Sequence, residues 1–182
     1  MSCLTVYAET SPEQPNKLLT HGEDITATLA EIGVRFERWQ TQTPLSRDSS
    51  HAELLAAYQP HIDQLRDECG YRASEVLSVT REHRQKDELC AKLLDEHRRE
   101  QDEVCFFVSG RGLYSVHVNG YVFSLLCEKG DLLVIPAGIR HWFDLGEQPH
   151  CIAIRLSGGD DGAVELTGED IASRFPRLDD QI

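Results

Sequence analysis

Two hydrophobic rhythms divide the chain. The first part reads as helices mixed with isolated strands. Leu4 to Ala8 is a short β-prone run that predicts a first strand, followed by a Pro-containing loop. Thr20 and Glu23 stand at the spacing of a capping box, and Ile25, Leu29 and Ile32 then recur at helical spacing until Gly33 stops them. Val34 to Trp39 alternates over its first four residues and predicts a strand. Ser50 and Glu53 form a second capping box ahead of an apolar stripe of Leu54, Tyr58, Ile62 and Leu65 that runs to Gly70. Pro60 interrupts that stripe, so either a kink or a new helical start is expected there. Glu75 to Thr80 predicts a strand, and Lys86 to Leu94 a short helix with Leu89 and Leu93 on one side.

From Glu103 onward the period changes. Glu103–Val108, Leu113–Val118, Tyr121–Cys127, Leu132–Ile135 and Cys151–Leu156 all read as strands. Between them lie Gly110-Arg-Gly112, the hairpin pair Asn119-Gly120 and Gly130-Asp131. Short strands at this spacing predict a sandwich or small barrel. Gly158 to Gly162 predicts a loop, and Thr167 with Asp170 a capped last helix before Pro176. The 182 residues suit one domain. Its expected parts are residues 1–96, which pack on the barrel, 97–157, which form its core, and 158–182, a tail.

Charge narrows the function. Lys and Arg number 18 against 31 Asp and Glu, a net charge of −13, and the basic residues are scattered, so no nucleic-acid partner is expected. No apolar run is long enough to span a bilayer, and the start of the chain lacks a basic segment followed by an apolar one. A soluble, cytoplasmic protein without a membrane partner is the expectation. The 6 cysteines include no Cys-x-x-Cys pair, which argues against a zinc ribbon or a disulfide framework and for reduced, mostly buried side chains. Cys105 stands apart because of its position.

The candidate chemistry lies on either side of the Asn119-Gly120 hairpin. His97, Arg99, Glu103 and Gly110 occupy one set of positions; Gly130, Pro136, Gly138 and His141 occupy another. Side chains two apart on a strand share a face, so His97, Glu103 and His141 can converge inside one barrel. The two sets resemble the paired motifs of the cupin superfamily. The second set matches at every position. The first matches in spacing but has arginine where the pattern has its second histidine. The resemblance implies a mainly β, jelly-roll cupin barrel with several helices, mostly N-terminal. It also implies a metal held by His97, Glu103 and His141, the ligand types of oxygen-activating non-haem iron sites.

Longer stretches narrow the resemblance. Gly33-Val-Arg-Phe-Glu-Arg-Trp39, Asp102-Glu-Val before Phe106-Phe-Val, Leu126-Cys-Glu-Lys-Gly-Asp131, His141-Trp-Phe-Asp, Thr167-Gly-Glu-Asp-Ile-Ala and Phe175-Pro-Arg-Leu178 are similar to the bacterial acireductone dioxygenases. That family binds Fe2+ or Ni2+ through three histidines and a glutamate and brings acireductone and O2 together. Iron yields formate and the 2-oxo acid precursor of methionine; nickel yields carbon monoxide, formate and a shorter acid. Here one ligand position falls on Arg99, and a position where the family has an arginine thought to hold the substrate falls on Cys105. Phe143 and Trp142 are read as core or pocket wall, which makes Arg99, Cys105 and Phe143 the candidate pocket residues.

Arg99 leaves the site's state open. A guanidinium only donates, so it cannot ligate a metal at neutral pH. Either three ligands hold the ion with one per chain, or Arg99 pairs with Glu103 in the ion's place. Arg99 could alternatively replace the missing substrate clamp. Cys105 is either an inert filler or a thiolate ligand. On this reading the protein is a monomeric dioxygenase of methionine salvage; the alternatives are a non-catalytic relative with an impaired site and, further off, a cupin isomerase. His21, His51, His61 and His150 are expected to be solvated, while His83 and His117 lie near strands without motif support.

Overall fold

The computed structural model describes residues 1–40, 46, 48–159 and 162–181. Its strands are β1 (Cys3–Ala8), β2 (Pro15–Leu19), β3 (Arg35–Arg38), β4 (Ala73–Thr80), β5 (His97–Arg99), β6 (Glu103–Val118), β7 (Tyr121–Glu128), β8 (Asp131–Ile135), β9 (Arg140–Asp144), β10 (His150–Ser157) and β11 (Val164–Leu166). Its helices are α1 (Gly22–Ala30), α2 (His51–Ala57), α3 (Gln59–Cys69) and α4 (Lys86–Leu94), all ahead of β5. This is the cupin-type β fold with mostly N-terminal helices that the sequence implied.

The barrel turns on β6. Residues Glu103–Phe106 pair with β8, and Val104–Gly110 pair with β10 on the other edge. Beyond Gly110 the same strand pairs with β7 and β9. One side therefore runs β2-β1-β7-β6-β9-β5-β11, and the other runs β4-β10-β6-β8-β3. What read as two strands is one of 16 residues. The Gly110-Arg-Gly112 segment bends it without ending it: Gly110 has φ +78°, open to glycine, and the register with β10 slips between Ile152 and Ala153.

Alternation along β6 separates two apolar layers. Cys105, Phe107, Tyr114 and Val116 face inward with Leu125, Leu133, Ile135 and Phe143. Val104, Phe106 and Val108 face outward, where Leu54, Tyr58, Ile62 and Leu65 of α2 and α3 cover them. The Ser50–Glu53 capping box is present, with bonds of 3.2 and 2.6 Å. Pro60 opens a new helix, since Tyr58 ends α2 and caps α3.

Several local expectations are corrected. Helix α1 begins at Gly22 with His21 at its N-cap and no side-chain cap, which puts Thr20 outside the helix and Glu23 in its first turn. Asp170 precedes only a 3-10 turn, Ile171–Arg174, and does not cap it with its side chain. His61 stacks on Trp39, with ring centroids 4.7 Å apart, rather than standing in solvent. Among the described residues, no helix is long and apolar enough to cross a membrane.

Candidate metal centre

Three strands bring the site together. His97 opens β5 and pairs in register with His141 of β9. β9 in turn lies beside β6, whose first residue is Glu103. All three side chains are buried, and their candidate ligand atoms lie within 4.8 Å of one another.

Hydrogen bonds fix which ring nitrogens face inward. Nδ1 of His97 lies 2.8 Å from the Asp95 carbonyl, and Nδ1 of His141 lies 2.8 Å from the Ile139 carbonyl. A carbonyl only accepts, so each Nδ1 carries a proton and donates it. A neutral ring then has its lone pair on Nε2, the arrangement typical of a metal-ligating histidine. Burial pushes the His97 pKa below its ordinary value, which favours the neutral ring.

Glu103 completes the donor set. Its Oε2 lies 2.8 Å from His141 Nε2, and its Oε1 accepts a 2.8 Å bond from the Tyr114 hydroxyl. Burial pushes the carboxyl upward, but the bond to His141 and the charges of His141, Arg99 and Arg155 outweigh it and hold the group ionised. A neutral His141 would direct its lone pair at a carboxylate oxygen. Only a cation between them, a proton or a metal ion, reconciles that geometry. The residues thus fit a divalent ion: two neutral imidazole nitrogens, one carboxylate and a carbonyl behind each ring.

The expected pocket residues occupy different places. Arg99 reaches the centre, with Nε 2.8 Å from Glu103 Oε2 and only 15 % of its side chain exposed. The contact is ionic rather than an aligned hydrogen bond, since Nε finds no hydrogen-bond partner. Cys105 lies in the inner layer, where burial and then Glu103 push its thiol up to about 12, so it is a neutral filler rather than a thiolate. Phe143 stands one layer back, stacked on Tyr114 with centroids 4.0 Å apart, and so holds the ring that donates to Glu103. Gly112 makes room for it, because a Cβ there would run into the Phe143 ring.

Two further residues belong to this site. Tyr114 shares the inner face of β6 with Glu103, eleven residues on and beyond the bend. Arg155 pairs in register with Cys105, meets Glu75 at 3.4 Å, and is kept charged against desolvation chiefly by the Glu103 carboxylate. A lone arginine in the otherwise apolar run Cys151–Leu156 was the signal for it.

With this geometry in place, comparison with known proteins decides the family. The model of the ARD/ARD′ family matches residues 4–165. The chain belongs to the acireductone dioxygenase family. An acireductone dioxygenase of Stutzerimonas stutzeri is 57 % identical over 181 residues, covering 99 % of this chain and all of the relative. One from Pseudomonas aeruginosa is 55 % identical over the same span. Among solved structures, a Bacillus anthracis acireductone dioxygenase with a cadmium ion in its active centre superposes with a TM-score of 0.77 at 27 % identity, covering 89 % of this chain and 95 % of that one.

Proposed function

We propose that the protein is a metal-dependent dioxygenase of methionine salvage acting on acireductone, 1,2-dihydroxy-3-oxo-5-methylthiopentene, and O2. Products would be 4-methylthio-2-oxobutanoate and formate with Fe2+, or 3-methylthiopropanoate, formate and CO with Ni2+. The observation that carries this is the convergence of His97, Glu103 and His141, with both imidazoles anchored through Nδ1. A bound divalent ion would supply adjacent open positions for the enediol oxygens and dioxygen.

The protein's own groups give that chemistry its setting. His97 and His141 offer Nε2, and Glu103 offers an anionic oxygen whose partner oxygen is held by Tyr114. Phe143 keeps the tyrosine in place and closes the centre on its inner side. Arg155 adds positive charge to the wall beside Glu103 and Cys105, where an anionic enediolate is favoured. We assign the reaction to a soluble cytoplasmic monomer.

A second reading, a relative that keeps the fold without turnover, is favoured by the 2.8 Å contact of Arg99 with Glu103. Anaerobically prepared acireductone tested with iron-loaded and nickel-loaded protein separates the two. Metal-dependent consumption, with different products for the two ions, is expected. Consumption no faster than the uncatalysed rate, restored by Arg99→His together with Cys105→Arg, would establish the second reading.

A further inference from the structure

Arg99 has more hydrogen-bonding capacity than the site uses. A guanidinium carries five N–H donors, and the side chain is mostly buried, yet among the described residues it makes no hydrogen bond; its one charged contact is with Glu103 Oε2. Its Nε is buried without a hydrogen-bond partner, which is costly unless a ligand satisfies it. A cavity of about 470 Å³ opens where Arg99 lies, between β5, β11 and the Ala137-Gly138 turn. The acids lining it are engaged elsewhere: Glu165 lies 3.7 Å from Arg98, and Glu100 accepts a 3.3 Å bond from the Ala163 amide. Arg99 is thus a cation with free donors standing between a buried carboxylate and a cavity.

The oxygen Arg99 touches is also the one His141 faces, 2.8 Å from its Nε2. A guanidinium and a divalent ion cannot both sit against Glu103 Oε2 without strong like-charge repulsion. We propose that Arg99 is an exchangeable counter-ion: it occupies Glu103 until a divalent ion takes that oxygen, then turns into the cavity between β5 and β11 and there binds the anionic oxygens of an enediolate. This rests on the reading of His97, Glu103 and His141 as the metal site. It makes Arg99 at once an antagonist of metal binding and a determinant of substrate affinity.

Those roles have opposite signs, which a merely damaged fold would not imitate. Chelator-competition titration with Co2+ should show Arg99→Gln binding the ion at least about tenfold more tightly than the unmodified protein, with Arg99→Lys between them. Anaerobic titration of acireductone into the Co2+-loaded proteins, followed by the cobalt absorption bands, should show affinity falling about tenfold or more in Arg99→Gln and largely kept in Arg99→Lys. Equal or weaker Co2+ binding by Arg99→Gln overturns the exchange, and unchanged acireductone affinity overturns the clamp, while either result leaves the metal site standing. If Co2+ binds neither protein, the metal site itself fails, and the proposal with it.

Discussion

Among the described residues, two buried histidine–carboxylate clusters lie one residue apart along the chain. His97 and His141 meet Glu103 on one face. On the other, His117, whose register partner is Arg140, meets Glu96. Successive strand residues point to opposite faces, so Glu96 and His97, or Arg140 and His141, are sent to different environments by a single step.

What gathers around each carboxylate separates them. Glu96 accepts from His117 Nδ1 at 2.6 Å through one oxygen and from the Thr167 hydroxyl at 2.7 Å through the other, and its carbonyl accepts from the Thr167 amide. His117 Nε2 lies 3.1 Å from a Glu9 oxygen in an ionic contact rather than an aligned hydrogen bond, and His117 holds the Glu9 carboxyl below its ordinary value. Both Glu96 oxygens are bonded, and the cluster fastens β6 to the segment after β11 and, through an ionic contact, to the end of β1. In the other cluster two Nε2 atoms face one carboxylate, and a guanidinium has donors to spare. The Glu96 cluster ties three segments and is a clasp; the Glu103 cluster, with three candidate ligand atoms within 4.8 Å of one another, has capacity left for a metal ion.

Substitutions can break this contrast, and the largest effect belongs to Glu103. Glu103→Gln removes the one anionic ligand, and metal affinity measured by chelator competition should fall more than about a hundredfold, with activity lost. Next comes His117→Ala, which strands the buried Glu96 carboxylate. Urea unfolding should show a loss of about 3–5 kcal/mol, while the folded fraction still binds metal. A stable, metal-deficient His117→Ala would erase the distinction between clasp and centre.

Smaller effects sharpen it. Tyr114→Phe deletes one bond to Glu103, so metal affinity should drop by roughly tenfold while unfolding free energy changes by about 1 kcal/mol. The smallest effect lies outside both clusters, at Asp144, which accepts from the Arg177 guanidinium and the Leu178 and Gly146 amides. Burial raises the Asp144 carboxyl, but the Arg177 bond and those amides outweigh it and leave its pKa lowered. Its contribution is complete above the unfolded carboxylate value near pH 4 and is lost as pH falls through the lower folded value. Asp144→Asn should cost about 1–2 kcal/mol at pH 7 and flatten the acid limb of a stability-against-pH curve.

How much could be read in advance differed by element for physical reasons. Strands with one face in a core, such as β7 and β8, announced themselves through apolar runs, and α2 through its reciprocal cap. β5 is three residues of His-Arg-Arg and β2 is almost wholly exposed, so neither has an apolar pattern to read. Gly110 signalled a turn but serves a bend, because its register partner Cys151 keeps the pairing going. Motif spacing named His97, Glu103 and His141 together, and the fold brings them together. It could not name Tyr114 or Arg155, which reach the site across the bend of β6 and from a strand more than forty residues later. The sequence offered Arg99 against Glu103 as one of two states, and the choice between them depends on where a long side chain turns.

The central claim is that three side chains hold a divalent ion despite Arg99. The most direct test is metal analysis of the protein purified without chelator and again after reconstitution with Fe2+ or Ni2+, beside Glu103→Gln. About one ion per chain in the unmodified protein and none in the variant is the expected result. No iron, nickel, cobalt or manganese in the unmodified protein, even after reconstitution, would contradict it.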